Sequence, residues 1–265
     1  MFDLGGLESA GENGLADSIF GGKLHFSAVT GSTNSDALTA ARSGAAHGSV
    51  YFADEQRAGR GRGDHGWHSS SGEGLYVSVL LRPQIPTARL PLLPLVAGLA
   101  AADAVRTVAG LAVDIRWPND LLIGPRKTGG ILVEANSEGT AIAFAVVGIG
   151  INVHQQSFAP GLSTPATSLD LEAGRRISRQ RLLIALLKSL ERETLGLADA
   201  ALAEEVSARV GSASTWVRGR NVEVHGPQAC AGVTAGLDEH GFLLVRTGAG
   251  MVTVQTGGIR ANETN

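Results

Sequence analysis

Two residues after Arg57 a run, GRGRGDHGW, begins at Gly59 and ends on Trp67, with Arg60 and Arg62 alternating with Gly59, Gly61 and Gly63. Glycine permits positive φ and lets backbone N–H groups come close to a ligand. Arginine adds planar forks of donors matched to carboxylate and phosphate oxygens, and an indole offers a face on which a base can stack. A second run, RWPNDLLIGPRKTGGILVE from Arg116 to Glu134, puts Asn119 and Asp120 at a turn and a single lysine, Lys127, just before Gly129 and Gly130. Asn119 suits a nucleotide hydrogen bond, and Asp120 suits a cation or a neighbouring arginine. The apolar triplet Ile131, Leu132, Val133 that follows directs the Lys127 ammonium inward instead of leaving it a solvated charge. A third run, Gly148 to Asn152 (GIGIN), closes an apolar strand on an amide. Together these describe a site for an anionic, phosphorylated, planar ligand. The competing reading is an RG-repeat arm that binds nucleic acid, and the loop's place between two apolar stretches counts against it.

Such groups need elements to hold them. Ser32 and Thr33 stand ahead of Asn34 and predict a capped helix running to about Ser43. Gly48 to Glu55 and Leu75 to Leu81 have strand character. Leu92 to Val108, rich in alanine and apolar on most sides, predicts a buried helix. Strands are expected at Val113 to Trp117, Ile131 to Ala135 and Ala141 to Val153, the last covered on both faces. Leucines 182, 183, 186, 187 and 190 sit at helical spacing within a helix from Ser178 to Leu197, and another helix covers Asp199 to Val210. Beyond a boundary near Gly211 to Ser214, short strands at 221–224, 229–237, 242–246 and 252–255 alternate with glycine-rich turns. That rhythm predicts a small β-barrel. The expected layout is therefore a flexible segment over 1–24, a catalytic domain over 25–213 and a small domain over 214–265.

A chain of 265 residues is long enough to bury a full core. Its net charge of −3 argues against a general binder of nucleic acid or membrane surfaces. The single cysteine, Cys230, allows no internal disulfide and fits a reducing compartment. The first twenty residues carry no basic-then-apolar leader, and the apolar stretch Leu90 to Val105 is interrupted by Pro91, Pro94 and Asp103. A soluble cytoplasmic protein is expected.

Four segments in order resemble those of the bacterial biotin–protein ligases: Gly31 to Asn34 (GSTN), Glu55 to Trp67 (EQRAGRGRGDHGW), Trp117 to Glu134, and Val147 to Val153 (VGIGINV). The likeness runs over roughly residues 25 to 260. It implies an α+β fold: a central mixed β-sheet with flanking helices, like a class II synthetase, plus a C-terminal SH3-like barrel. Only some two dozen residues precede the pattern, so the chain resembles the non-regulatory members without a winged-helix DNA-binding domain, and no operator binding is expected.

The resemblance also implies a two-step reaction with ATP, biotin and Mg²⁺. Biotin's carboxylate attacks the α-phosphorus to give biotinyl-5′-AMP, and a lysine of the biotin carboxyl carrier protein of acetyl-CoA carboxylase then expels AMP. Lys127 would bridge carboxylate and phosphate, with Arg60 and Arg62 closing over the adenylate. Ser32, Thr33, Asn34 and Gln56 would face the biotin ring, beside Gly59, Gly61 and Gly130. Trp67, Asn119, Asn152 and, more weakly, His65 would serve the nucleotide, and Asp120 would organise the metal or the arginine loop. A homodimer is compatible with the family. One departure stands in the loop: Asp64 and His65 replace the family's glycine and arginine, exchanging backbone freedom and a fixed cation for an anion and a titratable ring. A lipoate or other acyl-carrier ligase shares this activation logic and is the nearest alternative.

Overall fold

In the computed structural model, which describes residues 15–63, 65–139 and 141–262, the β-branched and aromatic runs assemble into one seven-stranded sheet. Its strands are β1 (Leu24–Thr30), β2 (Ser49–Gln56), β3 (Gly74–Leu81), β4 (Asp114–Arg116), β5 (Asp120–Ile123), β6 (Arg126–Glu138) and β7 (Ala141–Asn152). Their spatial order is β1-β2-β3-β7-β6-β5-β4. Only β1 and β2 pair in parallel, and α1 (Thr33–Arg42) supplies the crossover that a parallel pair requires. β3 and β7 lie at the centre, and every residue of β3 is buried, which accounts for an apolar run without a solvent face.

The two faces of the sheet differ. Val77, Val79, Val147 and Ile149 join the main core with α2 (Leu93–Ala109) and α4 (Arg179–Gly196). On the other face Leu80, Phe144 and Val146 pack against Ala37 and Ala41 of α1. In register with them lie Ser78, Gly148 and Leu132, one residue from each of three adjacent strands. This second face carries the cleft described below. A short helix, α3 (Leu169–Ala173), follows the loop after β7, and α5 (Ala200–Ala213) leads out of the sheet region.

Past α5 come five antiparallel strands: β8 (Arg218–His225), β9 (Cys230–Leu237), β10 (Leu243–Thr247), β11 (Gly250–Val254) and β12 (Gly258–Ala261), in the order β11-β10-β9-β8-β12. This is the SH3-like unit. Its Val222, Val224, Leu243 and Ile259 belong to the same apolar core as α2. A Cβ at Gly241 would lie 2.6 Å from Leu95 Cδ1 and 2.9 Å from Leu92 Cδ2, so the β9–β10 turn is pressed onto α2. The Trp117 indole donates to the Gly241 carbonyl at 3.0 Å, tying the turn before β5 to the small sheet.

Several expectations change. β6 begins at Arg126, not Ile131, so Lys127 sits within a strand; β1, β5 and β12 had no forecast. The last two are short, and β5 is preceded by a proline turn that masks strand character. Residues 15–23 are held in place, against the expected flexible segment. Leu15 and Phe20 are buried, while Ser18 Oγ and Ile19 N donate to Glu191 at 2.8 and 2.7 Å. Residues 1–14 and Asp64 lie outside the described residues. Ser32 occupies the N-cap of α1, yet its side chain makes no capping bond, so the hydroxyl is not spent on the helix. Thr87–Ala109, a 3₁₀ turn continuing into α2, is long and apolar enough to cross a bilayer by composition, despite its prolines. Here it is a core helix, with Leu93, Leu95, Val96 and Val105 buried under the sheet.

Candidate active site

The glycine-arginine loop leaves the end of β2 and returns through an antiparallel bridge between Arg60 and Gly66. Its tip is held by Gly61 N donating to His65 O at 2.7 Å, and Gly63 takes φ +61°, a conformation that favours glycine. The loop lays Trp67 onto the sheet. A Cβ at Gly150 would come within 2.6 Å of the Trp67 Nε1 atom, and one at Gly130 within 3.4 Å of the same ring. Gly148 is open for a different reason: a Cβ there would sit 2.0 Å from Asn34 Oδ1. The spacing Gly148-x-Gly150 thus gives β7 two bare places, one under an amide and one under an indole.

Lys127 lies beside that indole, its Nζ 5.5 Å from the ring centroid, in cation–π range. Its principal partner is Asp120, with Nζ 2.5 Å from Oδ1. The other carboxylate oxygen accepts from Arg116 Nε and Nη2 at 3.1 and 2.6 Å. Burial pushes the Asp120 carboxyl up, but Lys127 and Arg116 together outweigh it and hold the group below the ordinary carboxylate range. Arg116 in turn lies over the Trp216 ring at 5.2 Å, and its Nη2 donates to Thr164 Oγ1 at 2.9 Å. Both Asp120 oxygens are thereby engaged, one by Lys127 and one by Arg116. Among the described residues no cluster of three or more His, Cys, Asp or Glu could hold a cation.

At the opposite end a chain of hydrogen bonds runs through the buried polar side chains. Thr33 N and Oγ1 both donate to Gln56 Oε1, at 2.9 and 3.0 Å. Gln56 Nε2 donates to Ser69 Oγ at 2.9 Å. Thr33 Oγ1 meets Ser78 Oγ at 2.8 Å, and Ser78 donates to Asn34 Oδ1 at 2.6 Å. Asn34 Nδ2 then donates to Glu134 Oε2 at 2.9 Å, the same oxygen that Arg60 Nη2 reaches at 2.5 Å. Ser78 and Glu134 belong to this chain although neither stood out in the sequence. A serine inside an apolar strand and a glutamate at its edge have many bland explanations, and only the register links them to Asn34.

Arg62 follows a different course. Its Nη1 donates to Gly257 O at 2.7 Å and to Asn119 Oδ1 at 3.5 Å, and Nη2 donates to Thr256 Oγ1 at 3.3 Å. The loop is therefore fastened to the β11–β12 turn of the small sheet. Burial lowers the Arg62 guanidinium, with Asp120 acting in the opposite direction. His65 is exposed, its Nδ1 3.0 Å from Arg62 O. Asn119 Nδ2 donates to Ile131 O at 2.8 Å. Asn152 spends both ends of its amide inside the fold, on Thr167 O at 3.1 Å and Gln155 Nε2 at 3.3 Å, and pins the loop after β7.

Most of these groups border one cleft of about 740 Å³. Of the residues singled out from the sequence, Ser32, Thr33, Asn34, Gln56, Arg60, Gly61, Arg62, His65, Trp67, Asn119, Asp120, Lys127, Gly130 and Asn152 line it; Gly59 does not. Gly59 lies behind the wall, where a Cβ would meet Trp67 O at 2.3 Å. The loop after β7 (Phe158, Leu162 to Thr164) and the small sheet (His225, Gly257, Arg260) complete the lining. Sequence spacing carried no sign of either contribution.

The cleft thus has hydrogen-bonding side chains at one end and cations under a glycine loop at the other. Residues 26–152 match the family model described as "Biotin/lipoate A/B protein ligase family". The biotin–[acetyl-CoA-carboxylase] ligase of Mycobacterium tuberculosis is 35% identical over 94% of this chain and 94% of its own length. The bifunctional ligase/repressor BirA of Bacillus subtilis is 35% identical over 93% of this chain and 76% of its own length. Among solved structures, the Aquifex aeolicus biotin protein ligase in complex with biotin and ATP superposes with a TM-score of 0.78 at 27% identity, covering 92% of this chain and all of that one. The chain belongs to this family, among its biotin–protein ligases.

Proposed function

We propose that the cleft activates biotin with ATP as biotinyl-5′-AMP and passes the biotinyl group to a lysine of biotin carboxyl carrier protein, in the cytoplasm. The observation that carries this reading is the meeting of the Lys127–Asp120–Arg116 array with the Arg62 loop across from the Thr33–Ser78–Asn34 chain, in one enclosure. Biotin's ureido ring is flat and rich in donors and acceptors, and it suits the buried hydroxyl and amide end. Its carboxylate then points toward Lys127.

Charge builds on the α-phosphate oxygens as the carboxylate attacks, and the cations Lys127, Arg62 and Arg60 supply the compensation. Asp120 keeps Lys127 in place, and Arg116 keeps Asp120 ionised as Lys127 turns to substrate oxygens. The Trp67 face offers a stacking surface beside Lys127. Magnesium would arrive on the ATP phosphates, close to Asp120, whose oxygens are held by Lys127 and Arg116.

The test is biotin-dependent exchange of pyrophosphate into ATP, followed by transfer to a purified carrier domain of acetyl-CoA carboxylase. Exchange with biotin and none with lipoate is expected. Equal exchange with lipoate would move the assignment to an acyl-carrier ligase, and no exchange with either would overturn it.

A further inference from the structure

The segment that joins α5 to the small sheet is clasped to β4 one residue at a time. Ser214 Oγ donates to Ile115 O at 2.5 Å. Thr215 N and Oγ1 donate to the two carboxylate oxygens of Asp114, at 2.9 and 2.6 Å. Trp216, whose own N–H donates to Ser214 Oγ at 3.1 Å, completes the match: the Arg116 guanidinium lies over its ring, 5.2 Å from the centroid. Arg220 of β8 shares the same indole, at 3.9 Å. Trp216 is 6% exposed and Arg116 8%, so the contact is shielded from water, where a cation over an indole is worth most.

A guanidinium has a plane as well as a charge, and the plane decides where its N–H groups aim. Arg116 aims Nε and Nη2 at Asp120 Oδ2, at 3.1 and 2.6 Å, and Nη2 also reaches Thr164 Oγ1 at 2.9 Å. Asp120 passes the constraint on, its Oδ1 lying 2.5 Å from Lys127 Nζ. Trp216 itself does not line the cleft. Its route to the site is Arg116, then Asp120, then Lys127.

We propose that Trp216 is a positioning residue for the reaction: by holding the plane of the Arg116 fork it sets the Asp120 carboxylate and, through it, the Lys127 ammonium. The docked small sheet thereby acts on the chemistry from outside the cleft. This deepens the ligase reading and rests on it, because Lys127 is there the group that meets the biotin carboxylate and the α-phosphate. A displaced ammonium slows adenylate formation, since misplacing a charge by about 1 Å is costly in a step that depends on alignment. The hydroxyl and amide end lies across the cleft and keeps its hold on the biotin ring.

The test measures biotin-dependent pyrophosphate exchange and melting temperature for W216L, W216F, R116K, the double variant W216L/R116K and V222A. Leucine leaves no ring to face the cation, phenylalanine leaves a weaker one, and lysine at position 116 keeps the charge but loses the fork. Val222 is buried in the small sheet, so V222A loosens that sheet and spares the indole. W216L should lower kcat about tenfold with the KM for biotin held within about twofold. W216F should lose only about threefold. In the R116K background W216L should cost nothing more, because the route is already cut. V222A should melt lower yet keep its kcat. A W216L enzyme as fast as wild type, W216F as slow as W216L, the full loss repeated on top of R116K, or V222A slowed as much as W216L would each overturn the proposal. If W216L does not fold, W216F carries the cycle: its loss should appear with arginine at 116 and vanish in R116K, and an equal loss in both backgrounds, or none in either, would overturn it. Absence of exchange in the wild type is a separate outcome and would sink the ligase reading itself.

Discussion

The two ends of the cleft are built on opposite plans. At the hydroxyl and amide end, Thr33, Asn34, Gln56 and Ser78 satisfy one another, and Thr33, Asn34 and Ser78 are buried. At the loop end, the chain is exposed at Arg60 and His65 and is held by a few long-range bonds, from Arg60 to Glu134 and from Arg62 to Gly257 and Thr256. A satisfied buried network keeps its shape without ligand, because breaking any member strands a polar group. A loop held at its tip by a few bonds has less to break, so its opening would cost less than disturbing that network.

The largest test of this contrast lies where the two plans meet. Lys127→Ala should cut the rate of adenylate formation about 10²–10³-fold, with some loss of stability because Asp120 loses one of its two cations; near-normal turnover would remove Lys127 from the chemistry. Gly148→Ala strikes the rigid end. Its new methyl falls 2.0 Å from Asn34 Oδ1, so stability should drop by roughly 1–3 kcal/mol with a raised KM for biotin. A variant as stable as wild type would show that end to be pliable. Arg62→Gly strikes the fastened end and should do the reverse, speeding adenylate escape about tenfold while denaturant midpoints hold steady. Intermediate retained as in wild type would mean that the loop closes without that arginine.

Asp120 sharpens the comparison through pH. Its folded carboxyl is held low, by Lys127 and Arg116 against burial, so its stabilising contribution is present above the unfolded value near 4 and is lost as pH falls through the folded one. The stability gap between wild type and Asp120→Asn should be widest at neutral pH and narrow below about pH 4; a gap that persists in acid would show that the ion pair is not its source. The smallest effect is expected from Thr256→Ala, which removes one exposed 3.3 Å bond to Arg62. A change in adenylate retention worth less than about 1 kcal/mol, read by stopped-flow release, is the forecast.

What was legible beforehand followed from local chemistry. Glycine alternating with arginine, a lone lysine before two glycines, and a strand ending Gly-x-Gly-x-Asn each restrict what nearby atoms can do, and such restrictions survive without knowledge of neighbours. The main helices were equally plain, since apolar spacing in α4 and the alanine face of α2 are properties of short windows. β1, β5 and β12 were not, because a strand is stabilised by its partners and packing more than by its own residues.

The sequence by itself determined the inventory: which cations, which hydroxyls, which bare backbone positions, and the family to which they point. Only the tertiary structure decided their pairings. It gave both Asp120 oxygens to Lys127 and Arg116, drew Ser78 and Glu134 into the chain with Asn34, moved Gly59 behind the wall, and seated Arg62 on a turn 195 residues away. Those outcomes depend on strand register and on how the small sheet docks. A one-residue slip in β3 would turn Ser78 to the opposite face, and nothing in the residues around Ser78 records which face was chosen.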